Sequence, residues 1–241
     1  MEVGIQKMRV LAVGDMHLPF VHPMYLDFCK DLQTLWSCDK VVLIGDVVDA
    51  HALSFWDTDP NGLSAEQEAL EVLESLAAWK KAFPDALVCI GNHDERHFRK
   101  ARKSGIPDRY LRTYNEIYGT PTWEWSFDHQ VDGVLYTHGT GCSGKDAAIN
   151  LAIQKRCNLV MGHTHTWGGA KYHCNESSRI FGLNTGCGID VSAYAFAYGA
   201  HLPNRPTLGA GIIIDGKEAY FEPMAINKGE DYHRSKQSGK R

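Results

Sequence analysis

Three short apolar runs constrain this chain more than anything else in it. Met8-Arg9-Val10-Leu11-Ala12-Val13-Gly14, Val41-Val42-Leu43-Ile44-Gly45 and Ala86-Leu87-Val88-Cys89-Ile90-Gly91 are each too brief for a helix, rich in β-branched residues and stopped by glycine. Runs of this kind predict strands buried on both faces. Between them lie two helix-like stretches, Met24 to Cys38 and Ser64 to Phe83. The second opens with Ser64-Ala65-Glu66-Gln67, a capping-box pattern, and carries Leu70, Leu73, Leu76 and Ala77 at helical spacing before Pro84-Asp85 breaks it. Strands alternating with helices predict βαβ units and a mainly parallel sheet in an α/β fold.

The alternation loosens from His97 to Gln130, which predicts an insertion at about 97–130 beside the core rather than a second domain. Strand signals resume at Gly133 to His138 and at Asn158 to His163, with a helix from Ser143 to Cys157 between them and Ser143 as its cap. Leu208 to Ile214 and Lys217 to Glu222 flank Asp215-Gly216, the pair that favours a two-residue hairpin loop. Residues 1–224 therefore read as a single domain with an inserted segment, and the polar stretch 225–241 as a mobile tail.

Composition excludes several classes. Of 241 residues, 44% are hydrophobic and 22% charged, which is globular usage and not that of a disordered chain. A net charge of −4 gives no global case for nucleic acid or an anionic membrane and leaves only a local basic patch to consider. No apolar run approaches the ~18 residues a bilayer span needs, and Met1 to Lys7 lacks a signal-peptide layout. Seven cysteines, an odd number without a C-x-x-C pair, point to reduced thiols in a cytoplasm and against a disulfide framework or thiolate zinc site.

Twelve histidines are many for a chain with 25 Lys and Arg, and five of them fall at predicted strand ends. The first strand ends in Asp15-Met16-His17, the second in Asp46-Val47-Val48-Asp49, the third in Asn92-His93-Asp94. Later strands end in His138-Gly139 and in Gly162-His163-Thr164-His165. In open α/β sheets ligands bind outside the carboxyl ends of strands, so these side chains should converge on one crevice. Any one of these motifs alone also reads as a turn or a capping Asp; their weight lies in all five occurring in order. Carboxylates, imidazoles and one amide without cysteine suit divalent Mn, Fe or Zn.

The ordered set D-x-H, G-D-x-x-D, G-N-H-D, H, G-H-x-H resembles the pattern of the calcineurin-like metallophosphoesterase superfamily, without a gap from Asp15 to His165, about two thirds of the chain. The resemblance implies a metallophosphoesterase-type β-sandwich flanked by helices, in four α/β/β/α layers, with a two-metal centre at one edge. It implies that Asp15, His17 and His165 hold one cation, that Asn92, His138 and His163 hold the other, and that Asp46 bridges them. His93 would contact the substrate phosphate or protonate the leaving oxygen, and Asp49 would orient His93. The cofactors implied are two divalent metal ions, Mn first, with Fe or Zn as alternatives.

Departures from the family's protein phosphatases bear on the substrate. Those carry G-D-x-V-D-R-G, whose Arg grips phosphate, whereas Asp49 is followed here by Ala50-His51. The pattern is closer to the phosphodiesterase and nuclease-like branches, or to small bacterial and phage phosphoesterases. His51 is read as a surface residue or one behind the site. From Glu95 to Arg112 seven Lys or Arg face two acids, and Arg96, Arg99, Lys100 and Lys103 share one helical face. That face suits a nucleotide or nucleic acid, or is simply solvated. Trp123, Trp125 and Trp167 are read as packing before base stacking, and Cys89 as core rather than nucleophile.

The sequence thus predicts a cytoplasmic, metal-dependent phosphoester hydrolase that uses metal-activated water, with phosphodiesters slightly ahead of monoesters. The alternatives are a phosphomonoesterase acting on a nucleotide or phosphoprotein, and a non-catalytic scaffold on the same fold. Intact Asn92-His93 and a full ligand set argue against the scaffold, which would need neither. No membrane partner is expected.

Overall fold

The apolar runs become strands, and the strands sort into two facing sheets. The computed structural model describes residues 8–56, 62–190, 192–193 and 205–225; the expected tail lies outside them except for Ala225. In chain order it runs β1 (Arg9–Val13), α1 (Tyr25–Trp36), β2 (Lys40–Leu43), α2 (Ala65–Ala82), β3 (Leu87–Cys89), α3 (Arg96–Lys103), α4 (Tyr114–Tyr118), β4 (Glu124–Ser126), β5 (Asp128–Val131) and β6 (Val134–Thr137). It continues through α5 (Ala147–Lys155), β7 (Asn158–Met161), β8 (Gly168–Cys174), β9 (Arg179–Thr185), β10 (Gly209–Ile214) and β11 (Glu218–Pro223).

One sheet has the order β11-β10-β1-β2-β3-β4 and the other β5-β6-β7-β9-β8. β1 to β4 pair in parallel, as do β6, β7 and β9, while antiparallel strands close the remaining edges. The sheets are therefore mixed, because the hairpin β10–β11 and the flanking strands β5 and β8 return without a crossover.

Alternation along β1 explains the layers. Leu11 and Val13 join Val41, Leu43 and Val88 under α1 and α2, where Tyr25, Phe28, Leu76 and Trp79 pack. Val10 and Ala12 point the other way, against Val134, Tyr136, Val160 and Leu183 of the second sheet. The outer face of that sheet, through Leu159 and Met161, is covered by Ala147, Ala148 and Ala152 of α5. Two sheets flanked by helices make four layers, and the middle strands are apolar throughout because both their faces are covered. Each fully buried side chain of this size contributes roughly 1.5–3 kcal/mol. No helix among the described residues is long and apolar enough to cross a membrane.

Several local expectations change. α2 keeps its capping box, with Gln67 N–H donating to Ser64 Oγ at 3.3 Å and Ser64 N–H to Gln67 Oε1 at 3.1 Å. Its buried stripe, however, is Glu68, Val72, Leu76 and Trp79, while Leu70, Leu73 and Ala77 face solvent. The indole of Trp79 sets the face that packs on the sheet, and two backbone N–H groups draw Glu68 inward. α5 begins at Ala147 with Asp146 before it, so Ser143 is not its cap. The 97–130 segment supplies an edge strand to each sheet, β4 beside β3 and β5 beside β6. At the last hairpin Asp215 and Gly216 both take positive φ (54° and 58°) and Lys217 N–H donates to Ile214 O at 3.0 Å, although the strand register pairs Ile214 with Glu218.

Candidate metal centre

β1, β2 and β3 lie side by side in parallel, so the loops after them open at the same sheet edge and carry Asp15 and His17, Asp46 and Asp49, Asn92 and His93. β6 and β7 deliver His138, His163 and His165 from the facing sheet. Glycine lets these loops close. A Cβ at Gly91 would collide with the Asp46 carboxylate, and one at Gly162 with that of Asp15. His17, Asp46 and His163 sit at positive φ (52°, 45° and 66°), a conformation costing about 1–3 kcal/mol each that concentrates at functional sites.

The side chains form three groups, each with its ligand atoms within 4.8 Å of one another. The first is Asp15, His17, Asp46 and His165, with His165 Nε2 at 2.8 Å from Asp15 Oδ2 and 3.2 Å from His17 Nε2. The second is Asp46, His138 and His163, where His138 Nε2 lies 3.3 Å from Asp46 Oδ2 and 3.1 Å from His163 Nδ1. Asn92 Oδ1 joins it at 3.1 Å from the same nitrogen. The third is His17, Asp49 and His93. Asp46 belongs to the first two groups and is fully buried, as are Asp15 and His17.

The unused atoms of the donor set fit divalent cations. Asp15 Oδ2 accepts from His163 N–H at 2.9 Å and Asp46 Oδ1 from His93 N–H at 2.8 Å. Their other oxygens, Asp15 Oδ1 and Asp46 Oδ2, are buried without a hydrogen-bond partner. A buried carboxylate oxygen left so is unfavourable unless a cation meets it. The imidazoles are prepared in the same sense. His17 Nδ1 meets Asp49 Oδ1 at 2.6 Å and His138 Nδ1 meets the Ile44 carbonyl at 2.9 Å. With Nδ1 turned outward to these acceptors, both Nε2 atoms face the cluster, the orientation metal-bound histidines take.

Charge in the cluster is balanced internally. Burial opposes a charged His138, yet Asp46 and Asp15 outweigh it and push its pKa up to about 10. Burial raises Asp46, but His138 and His93 hold its carboxyl well below the usual range. His17, buried and beside His93, is lowered despite its bond to Asp49. For His93 burial also favours the neutral ring, while Asp46 and Asp49 prevail and raise its pKa against the opposing charge of Arg96.

Arg96 does not lie on a free face. Its Nη1 donates to the carbonyls of Asp49 (2.8 Å) and Ala50 (3.1 Å), and Nη2 lies 3.1 Å from His93 Nε2. The other three cations of that face gather elsewhere, Arg99, Lys100 and Lys103 lying 5.0, 5.4 and 5.5 Å from the ring centre of Phe55. His51 sits behind the site, its Nδ1 at 3.7 Å from Asp49 Oδ2. Trp123 and Trp125 are packing residues, the first bonded to the Phe83 carbonyl and the second stacked on Tyr114 at 4.9 Å. Trp167 is 44% exposed.

Two buried acids carry roles that sequence reading passed over. Asp94 accepts from Val48 N–H at 3.1 Å and Gly91 N–H at 2.9 Å, pinning the loops after β2 and β3 together. Burial, then the charge of Asp46, pushes it up to about 7. Glu68 accepts from His51 N–H (2.6 Å) and Ala52 N–H (2.9 Å) and fixes the short turn after Asp49. The available signal was its spacing, four residues before Val72 on the buried stripe of α2.

Known proteins give the family. A family model described as calcineurin-like phosphoesterase matches residues 8–195. Solved structures similar in fold include a metallophosphoesterase from Sphaerobacter thermophilus, at 14% identity and TM-score 0.48 over 96% of this chain and 94% of that one. Vacuolar Protein Sorting 29 from Cryptosporidium parvum gives 14% and 0.49 over 93% and 94%. The E. coli phosphoesterase Yfce gives 17% and 0.40 over 85% and 87%. No curated protein sequence matches. A match across most of the chain, spanning every strand end that carries these side chains, places the protein among the calcineurin-like phosphoesterases.

Proposed function

We propose that the chain is a dinuclear-metal-dependent phosphoester hydrolase. The observation that carries this reading is the single carboxylate of Asp46, common to two ligand groups, with an oxygen that no hydrogen bond uses. In this reading Asp15, His17 and His165 hold one cation and Asn92, His138 and His163 the other, with Asp46 between. The donor set of oxygen and imidazole nitrogen without sulfur suits Mn, Fe or Zn, and Mn is put first on the family resemblance. Two bound cations supply a clamp on the phosphoryl oxygens and an activated water as nucleophile.

The chain's own residues do the rest. His93 delivers a proton to the leaving oxygen, a transfer an imidazole can make near neutral pH when it is held in place as this ring is by Asp49. Asp49 accepts from Nδ1 and so turns Nε2 toward the leaving group. Because Nε2 now faces the Arg96 guanidinium, the leaving oxygen enters beside Arg96. Phosphodiesters are favoured slightly over monoesters, since position 50 is Ala where the family's protein phosphatases carry a phosphate-gripping Arg. A hydrolysis screen with Mn tests the reading, comparing bis-p-nitrophenyl phosphate, p-nitrophenyl phosphate and cyclic nucleotides. Turnover of the monoester alone would replace the diesterase by a monoesterase; no turnover of any ester by metal-loaded protein would leave a scaffold.

A further inference from the structure

The three cations around Phe55 are more than that ring requires. One ammonium or guanidinium suffices to hold an aromatic face, yet Arg99, Lys100 and Lys103 all converge on it. Among the described residues none of the three has a carboxylate within ion-pair distance, whereas Arg102 on another side of α3 is paired with both Glu95 and Asp108. Like charges brought together without counter-charge repel one another, and an anion removes that cost. Beside them the chain projects Phe55, 40% exposed, and Trp56, 85% exposed. An indole so open is left almost uncovered by the described residues.

The cluster and the residue that reaches the metal centre, Arg96, stand on the same helix. Arg96, Arg99, Lys100 and Lys103 recur at i, i+3, i+4 and i+7 along α3, one helical face. The first of them touches His93 and the Asp49 carbonyl. From there the ridge rises about 10 Å to Lys103 at 1.5 Å per residue. Phosphate-binding cations in a row, with an exposed aromatic at their side, are what a strand of unpaired nucleotides needs, because every base offers a face for stacking and every linkage a charge. A duplex keeps its base faces inside the stack and gains nothing from the aromatic.

We propose that α3 together with Phe55 and Trp56 forms a binding ridge for single-stranded nucleic acid, which feeds a phosphodiester past Arg96 toward His93. The inference rests on the phosphoesterase reading for its destination, though the binding itself does not. Anisotropy of a labelled single-stranded oligonucleotide, measured on the full chain in EDTA so that no cleavage occurs, tests it. Binding should weaken with salt, and the combined variant Arg99→Gln, Lys100→Gln, Lys103→Gln should flatten the slope of log Kd against log salt by about 2. Trp56→Ala should weaken the oligonucleotide about tenfold with the slope unchanged. Tripolyphosphate, which has charge and no base, should compete equally well with wild type and Trp56→Ala. An unchanged salt slope in the triple variant, no loss with Trp56→Ala, or equal binding of a duplex would overturn the proposal. Hydrolysis of bis-p-nitrophenyl phosphate by the Mn-loaded wild type is followed in parallel. Turnover without oligonucleotide binding removes the ridge and leaves the phosphoesterase; binding without turnover of any ester does the reverse.

Discussion

Nδ1 of His93 meets Asp49 twice, at 2.8 Å from its carbonyl oxygen and 3.1 Å from its carboxylate Oδ1. The ring is therefore held by one residue through both main chain and side chain. The same carboxylate oxygen lies 2.6 Å from His17 Nδ1. Asp49 thus joins two imidazoles to which the proposed mechanism gives different work, one toward the cations and one toward the leaving group, and substitutions there and at His93 separate the two.

His93→Ala should keep its metals and lose its proton donor. No ligand role falls to His93 in the proposed centre, and its main-chain N–H, which meets Asp46 Oδ1 at 2.8 Å, survives the substitution. We expect unchanged metal content and a kcat lowered by ~10²–10⁴-fold on a substrate with a poor leaving group. Metal content by mass spectrometry and single-substrate kinetics check this; a loss of metal would assign the ring to the cations instead.

Asp49→Asn should differ by touching both functions. An amide either turns an N–H toward a ring nitrogen that already carries a proton or presents a weaker acceptor, and it loosens His17 and His93 together. Outer partners of metal-bound histidines contribute about 10–100-fold in metal affinity. We therefore expect weaker metal binding in calorimetric titration as well as lower kcat, where His93→Ala lowers kcat alone. Native affinity in Asp49→Asn would remove its link to His17 from the metal side of the account.

Asp46→Asn tests the bridge. The amide can still offer one oxygen to His93 N–H, but the neutral group cannot offset the repulsion of two cations and places hydrogens where Oδ2 had a lone pair. Fewer than two metals per chain should remain at saturating Mn. Full occupancy in the variant would mean that Asp46 serves one cation or none.

Much of the site was legible in the sequence because each contributing loop follows a buried strand ending at or near glycine, and Gly91 and Gly162 are needed where the backbone meets the Asp46 and Asp15 carboxylates. The two-layer core was legible for a related reason, since β1 and β2 are apolar on both faces. β4 and β5 were not. Glu124-Trp125-Ser126 and Asp128-His129-Gln130-Val131 carry no strand pattern of their own, and β3 and β6 supply the ladder they join. Buried acids were hidden too, because an Asp or Glu bonded to main-chain N–H groups looks in sequence like any surface carboxylate. Arg96 was grouped with the outer face of α3 by spacing alone; only the placement of the Asp49 and Ala50 carbonyls shows that it turns inward.

Asp94→Ala should destabilise the protein, and the penalty should depend on pH. Removing the carboxyl strips two buried N–H groups, those of Val48 and Gly91, of their acceptors. Each unsatisfied donor costs about 1–3 kcal/mol, so a loss of roughly 2–6 kcal/mol is expected where the wild-type residue is at its best. In metal-free protein burial and the Asp46 charge push Asp94 up to about 7. A carboxyl raised in the folded state binds more protons folded than unfolded between its ordinary range and pH 7. Its contribution to stability is therefore greatest below about pH 4 and is lost as pH rises toward 7. Urea unfolding of metal-free wild type and Asp94→Ala should show a difference in ΔG that narrows from pH 4 to pH 7. A difference that widened over that interval would mean that the two N–H bonds outweigh burial and that Asp94 is an ordinary ionised acid.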